Sequence, residues 1–168
     1  MLEKAKSVET VTPGIYRDAM AHLAGAVNIA TTDGSAGRRG VTVAAAMSVS
    51  DSPATIVVCL NRNRDENLWF RENGNLALNT LCASQIELSR IFAGEDHLAM
   101  DKRFAAAQWQ SLVTGAPVLL GARTALDCRI VEFRPVETHW MILARVVAVA
   151  KPVDETALVY MDRGYREL

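Results

Sequence analysis

A mainly β fold, a β-barrel with added helices, is what this chain predicts, and three observations carry the prediction. Segments rich in Val, Ile, Leu and Thr recur along nearly its whole length, punctuated by turn residues such as Asp33-Gly34 and Asp51-Ser52-Pro53. The helical stretches are short and separated, and they do not alternate regularly with strands as a doubly wound sheet requires. At 168 residues the chain can bury one core without disulfide or metal staples. Residues 1–168 are therefore read as one domain, with residues 1–12 as an N-terminal extension.

Thr12 and Pro13 suit the N-cap and first position of a helix, and Tyr16, Met20 and Leu23 then share one face up to Gly25. Residues 26–32 read as a strand, and the turn from Asp33-Gly34 to Gly40 makes it a hairpin with the strand beyond. Gly34, Gly37 and Gly40 are spaced like a dinucleotide fingerprint, but such a fingerprint opens a helix, whereas the residues after Gly40 are strand-like. That strand, residues 40–50, carries Ala44, Ala45 and Ala46 where strands favour β-branched or aromatic side chains. After Asp51-Ser52-Pro53 comes a second strand, residues 54–61. Asn63 is expected to cap a helix with Asp65 and Glu66 in its first turn, anchored by Leu68, Trp69 and Phe70 and ended by Gly74. Residues 75–82 form another strand. Ser84 and Glu87 then make a capping box for a helix that runs through Phe92 and stops at Gly94. Residues 95–117 are less regular, and Met100 to Trp109 within them reads as a cover over the site. Residues 122–133 and 139–150 are long strands, and 157–161 is a third.

Composition excludes several classes of function. The formal net charge is -1, and the basic clusters Arg38-Arg39 and Arg62-Asn63-Arg64 are too short to track phosphates, so no nucleic-acid partner is expected. Cys59, Cys82 and Cys128 are odd in number, lack a C-x-x-C pair and sit beside apolar runs, which reads as buried thiols of a reducing compartment. The N-terminus has no apolar signal region, and no apolar run approaches the ~20 residues of a membrane helix, so a cytoplasmic location and no membrane contact are expected. Glu95-Asp96-His97 are adjacent and cannot easily converge on one ion, and His22, His97 and His139 lack ligand spacing. No metal is expected, and His22 and His97 read as surface or satisfied residues.

The alanine run is where chemistry enters. Small side chains let a planar ligand approach the backbone, and Thr42, Ser48 and Ser50 beside it, with Asn61, Arg62 and Arg64 after the next strand, offer donors suited to phosphate. That combination fits a flavin. Plainer readings stand beside it: satisfied hydroxyls in a barrel strand, alanines filling a tight sheet contact, a solvated turn at Asn61, Arg62 and Arg64, and a core or interface histidine at His139 next to Trp140.

Further motifs bear on the choice: Asn28-Ile-Ala-Thr-Thr32, Gly40-Val-Thr42 leading to Ser48-Val-Ser50, Val58-Cys-Leu-Asn-Arg62, Asn79-Thr-Leu81, Asp101-Lys-Arg-Phe104 with Trp109, Thr114-Gly-Ala-Pro117, Asp127-Cys128 and Thr138-His139. No one of these is specific. In their order and spacing, over residues 16–165, the chain resembles the flavin reductase-like, FMN-binding split-barrel family. More narrowly it is similar to the short-chain NAD(P)H:flavin reductases that feed two-component monooxygenases, including the pyrimidine-utilisation type.

The resemblance implies a homodimer that binds flavin near the subunit interface, with the ring against residues 42–48, the phosphate at Ser48 and residues 61–67, and a nicotinamide near His139. The cofactor-binding residues it implies are Thr32, Thr42, Val43, Ala44, Ala45, Met47, Ser48, Cys59, Leu60, Asn61, Arg62, Arg64, Asn67, Ala93, Gly94, Phe104 and Tyr165, with His139 as the catalytic residue. Tyr160 and residues 163–165 either line the pocket in the family's manner or form a frayed end. One position departs from the pattern: Glu137 stands where family members usually have Gly, placing bulk and negative charge near the expected nicotinamide. The implied activity is reduction of FMN or FAD by NADH or NADPH, with the reduced flavin leaving for a separate oxygenase. Hydride transfer asks little of protein acids or bases, because the cofactors carry it and the protein orients them. Backbone N–H groups of the alanine-rich strand would bond the flavin O4 and N5, and His139 would hold the carboxamide or supply a proton. Two rivals remain: a flavin- or haem-binding carrier or sensor without turnover, favoured by Glu137, and a pyridoxamine-phosphate-oxidase-like oxidase that keeps its flavin and uses oxygen.

Overall fold

In the computed structural model, which describes residues 10–168, the first helix starts where its local signals place it. Thr12 Oγ1 accepts the Ile15 N–H at 3.4 Å and Pro13 opens α1 (Pro13–Ala21). The expected extension at residues 1–12 falls mostly outside the described residues. α1 buries none of its side chains, and Tyr16, Met20 and, just beyond its end, Leu23 stay exposed. Polar contacts to the turn at Asp162-Arg163 hold it instead: Asp162 N–H donates to Ala21 O at 2.6 Å, and His22 Nδ1 lies 2.8 Å from Asp162 Oδ1.

The strand read at residues 26–32 is two strands, β1 (Gly25–Ala26) and β2 (Asn28–Thr32), which join different sheets. Beyond the loop the alanine-rich segment also divides. β3 (Arg39–Val43) pairs with β2, whereas β4 (Ala46–Asp51) pairs with β5 (Ala54–Asn61). Ala44 and Ala45 lie between them, outside any strand, which corrects the single strand expected over 40–50. A 3-10 turn (Asp65–Leu68) leads into α2 (Trp69–Asn73), and Gly74 ends it at φ 69 as read. Asn63 does not cap it; its N–H donates to Asn61 Oδ1 at 2.8 Å. β6 (Asn75–Thr80) comes next. The capping box sits two residues earlier than expected: the Cys82 N–H donates to Gln85 Oε1 at 2.9 Å ahead of α3 (Ile86–Ala93), which Gly94 closes at φ 89.

Residues 95–117 hold α4 (Met100–Phe104) and β7 (Trp109–Gln110), which pairs with β8 (Val118–Leu119). Buried Asp127 ties this segment down, accepting from the N–H groups of Val113 at 2.7 Å and Thr114 at 2.9 Å, and from the Thr114 hydroxyl. Then come the long pair β9 (Thr124–Val136) and β10 (His139–Val149) and a hairpin of β11 (Leu158–Met161) with β12 (Gly164–Glu167). β12 gives the C-terminus a definite strand. Its turn residues Asp162 and Arg163 both have positive φ, the geometry a two-residue hairpin requires.

The large sheet runs β3-β2-β6-β9-β10-β5-β4, so two strands consecutive in the chain occupy its opposite edges. Rolled antiparallel strands thus come nearly full circle, and the chain steps across the gap at Ala44-Ala45, where the Cys59 N–H reaches Ala45 O at 2.9 Å. This is a split barrel, open along a seam between the edge strands β3 and β4, where the last residues of β5 run on past β4. Inside it Ile56, Val58, Leu60, Phe70, Leu76 and Ile142 form one core. A second core lies under α3 and α4, centred on Phe92 and Phe104, whose ring centroids are 5.2 Å apart at 84°.

Gly40 marks how tightly that second core meets β3. A Cβ there would lie 2.4 Å from Phe92 Cε1 and 3.2 Å from Phe104 Cζ. Gly40→Val, favourable by strand propensity alone, is therefore expected to destabilise the protein by about 1–3 kcal/mol, lowering the urea midpoint without changing the slope of the transition.

Candidate functional site

The seam exposes what a closed barrel would hide. β3 has a ladder partner on one side only, and the facing end of β5 leaves its last residues unpaired with β3, so a cavity of about 470 Å³ opens between them. Ala44 and Ala45 are exposed and form part of its wall beside Thr42 and Val43. Cys59, Leu60 and Asn61 come from the end of β5, Arg64 and Asn67 from the 3-10 turn, Ala93 and Gly94 from the end of α3, and His139 from the start of β10. A second cavity of about 700 Å³ shares the wall from Val41 to Ala44 and continues past Ile86 and Arg90 to Tyr160, Arg163 and Tyr165. The C-terminal hairpin thus lines a pocket and is not a frayed end.

Five of the expected binding residues are not brought to either cavity. Thr32 is fully buried, with its hydroxyl donating to Asn75 Oδ1 at 2.7 Å, and Phe104 is a core ring. Met47 and Ser48 lie beyond the alanine corner on β4, at the far edge of the sheet, where both are exposed. Arg62 turns away to the β9–β10 turn, its Nη1 donating to Glu137 O at 2.8 Å. Glu137 lines neither cavity. Its φ of 46 explains why glycine suits that position: the turn between β9 and β10 needs a left-handed residue there.

The polar end of the smaller cavity adds to the expected Arg64 several residues that sequence reading missed. Arg39, Arg64 and Arg103 converge there with Glu66 as the one carboxylate and His97 beside them. Arg39 Nε donates to Oδ1 of buried Asn67 at 3.2 Å, and Asn67 Nδ2 donates to Asn61 O at 2.8 Å, so one asparagine orients both the arginine and the end of β5. Burial lowers the Arg39 pKa below its usual value; Glu66 works against that, while Arg103 and Arg64 add to the lowering. Guanidinium remains charged at any ordinary pH, so three like charges in a partly desolvated pocket favour an anion. No local signal separates Arg39 from Arg38, which pairs with Asp33 at 2.8 Å outside the cavity. Arg103 lies within the segment read as a cover and is its one contribution to this cavity.

Thr42 Oγ1 donates to Ser89 O at 2.6 Å, which fixes its hydroxyl with lone pairs still available. Cys59, expected to be buried, is half-buried in the wall, and desolvation pushes its thiol up, so it stays protonated near neutrality. His139 stands opposite Asn61 in the ladder, with Nδ1 2.8 Å from Thr138 Oγ1. An alanine-walled slot with a cationic end and a histidine at its rim suits a flat aromatic ring carrying a phosphate.

Fold and groove together define a split barrel built around a nucleotide-sized seam. The sequence matches the family model for the flavin reductase like domain over residues 20–168. An FMN reductase (NADH) RutF from Cronobacter sakazakii is 48% identical over 153 residues, covering 91% of this chain and 91% of its own. Among solved structures, a protein from Haemophilus somnus described as a flavin reductase matches with TM-score 0.89 at 41% identity, covering 94% of this chain and 100% of that one. BorF, the flavin reductase component of a bacterial two-component tryptophan halogenase, shares the fold with TM-score 0.85 at 23% identity, covering 94% and 98%. The chain belongs to the flavin reductase-like domain family.

Proposed function

We propose that this protein is an NAD(P)H-dependent flavin reductase that takes FMN or FAD, with NADH or NADPH as electron donor, and hands reduced flavin to a separate oxygenase. The observation that carries the reading is the pairing of a wall without side-chain bulk, Ala44-Ala45, with a pocket end holding Arg39, Arg64 and Arg103 against the single carboxylate Glu66. The name of the Cronobacter relative points to FMN and NADH for that protein, and the reading extends the same chemistry to this chain.

The bound flavin supplies the hydride-accepting ring. Against it, the corner residues Ala44 and Ala45 leave the backbone open to close approach, and the three arginines balance phosphate charge in a pocket that desolvates it. Asn67 holds Arg39 in place for this. His139 Nε2, free of protein partners among the described residues because Nδ1 is turned to Thr138, is the atom available to a carboxamide or to a proton at the rim. A carrier or sensor without turnover loses the feature that favoured it, since Glu137 stands outside the groove.

A homodimer is part of the proposal. Met47, Val57 and Leu143 face each other across β4, β5 and β10, on the side of the sheet opposite core residues Ile56, Val58 and Ile142. Met47 is 66% exposed and Val49 near it 53%, an apolar surface suited to a second copy. Free thiols fit a cytoplasmic setting, and no helix among the described residues is long and apolar enough to cross a membrane.

Purified protein should consume NADH or NADPH at a rate that rises with added FMN or FAD; no consumption with either nicotinamide overturns the reading. Arg39→Ala should weaken FMN binding about tenfold, read by flavin fluorescence quenching, and leave riboflavin, which has no phosphate, unchanged. Met47→Asp should convert the dimer to a monomer in light scattering, and a monomeric wild-type protein would remove the homodimer from the proposal.

A further inference from the structure

Arg62, a candidate phosphate donor by sequence, directs its polar contacts to the β9–β10 turn beside the groove. Its backbone N–H donates to Thr138 O at 3.0 Å and its Nη1 to Glu137 O at 2.8 Å, so a single residue holds two consecutive carbonyls of the turn. The same guanidinium lies 4.8 Å from the centre of the Trp140 ring. Trp140 packs in turn on Phe133, with centroids 5.1 Å apart at 34°, and Arg71 lies 6.0 Å from the centre of the Phe133 ring. Among the described residues Arg62 forms no ion pair with a carboxylate, so carbonyl oxygens and the indole face receive its charge.

The turn needs such a clamp. Glu137 sits at φ 46, a conformation that a residue with a Cβ adopts at an energetic penalty and that glycine adopts freely. The Trp140 indole N–H is buried without a partner, so no polar contact of its own fixes that ring. Thr138 and His139 lie between Glu137 and Trp140, the two residues Arg62 grips, and His139 Nδ1 is bonded to the Thr138 hydroxyl.

The geometry points to Arg62 as a positioning residue: by holding the Glu137 carbonyl and the Trp140 ring it fixes the direction in which His139 enters the groove. Arg62 lines neither cavity and acts through the turn and the Trp140 ring. The inference rests on the proposed role of His139 at the nicotinamide side, and the clamp compensates within this chain for a glutamate where the turn favours glycine.

The test uses the full chain with isotope-labelled histidine. Arg62→Ala should split or broaden the His139 imidazole signal and raise the nicotinamide KM about fivefold while the flavin Kd stays unchanged. Arg62→Lys keeps a donor for the Glu137 carbonyl and should restore part of the loss. In the Arg62→Ala background, Glu137→Gly should return a single His139 signal, since glycine holds the turn without the clamp. A sharp, unshifted His139 signal in Arg62→Ala, a flavin Kd that changes as much as KM, or no recovery with Glu137→Gly overturns the inference. Should the wild-type protein consume no NADH, the reductase reading fails by itself, and the His139 spectra still decide whether Arg62 sets that side chain.

Discussion

The step from β3 to β4 is the constraint on which the rest depends. Seven antiparallel strands roll until their two edges meet, and the chain must pass from one edge to the other within two residues. Gly25 of β1 lies beside that corner, where a Cβ would meet the Ala44 methyl at 3.4 Å, an ordinary contact distance. Larger side chains at the corner would project into the cavity that Ala44 and Ala45 line. An unpaired strand edge is ordinarily a hazard, because it offers free N–H and C=O groups to any passing strand. Here the incomplete closure leaves the edge of β3 inside a recess lined by the end of α3 and the 3-10 turn.

Electrostatics in the seam run against the character of the whole chain. A formal charge of -1 gives no general attraction for anions, yet the pocket concentrates three guanidinium groups around one carboxylate. Such a local excess matters because low-dielectric walls raise its effect and because solvent screening is weakest there. The fold supplies the convergence: Arg39 opens β3, Arg64 comes after β5, and Arg103 ends a helix packed over the second core. Each is distant from the others in sequence.

That separation also explains what the sequence could and could not convey. The strands read at 54–61, 75–82, 122–133 and 139–150, the glycine stops at Gly74 and Gly94 and the Thr12 cap arise from local chemistry, and the structure repeats them to within a few residues. The seam-lining set Thr42, Val43, Ala44, Ala45, Cys59 to Asn61, Arg64, Asn67, Ala93, Gly94, His139 and Tyr165 rests on motif order, and the structure gathers it around two adjoining cavities. The break at Ala44-Ala45 is illegible because alanine carries no turn signal, and its cause is closure of the sheet. Met47 and Ser48 are implied by the resemblance, and the corner carries them onto β4, where they line neither cavity. Thr32 and Phe104 belong to family-like motifs for packing reasons, and motif membership does not separate a buried hydroxyl or ring from one that lines a groove. Arg39 and Arg103 escape detection because only tertiary structure decides which of several arginines turn inward.

Asp127 ties the least regular part of the chain to one of its central strands. With its carboxylate accepting from both Val113 and Thr114, the stretch leading to β8 has no independent freedom to peel away. Opening it would leave the buried Asp127 side chain without its hydrogen-bond partners, so that region is coupled to the melting of β9 itself. A loop that looks dispensable in outline thus behaves energetically as an outer layer of the barrel.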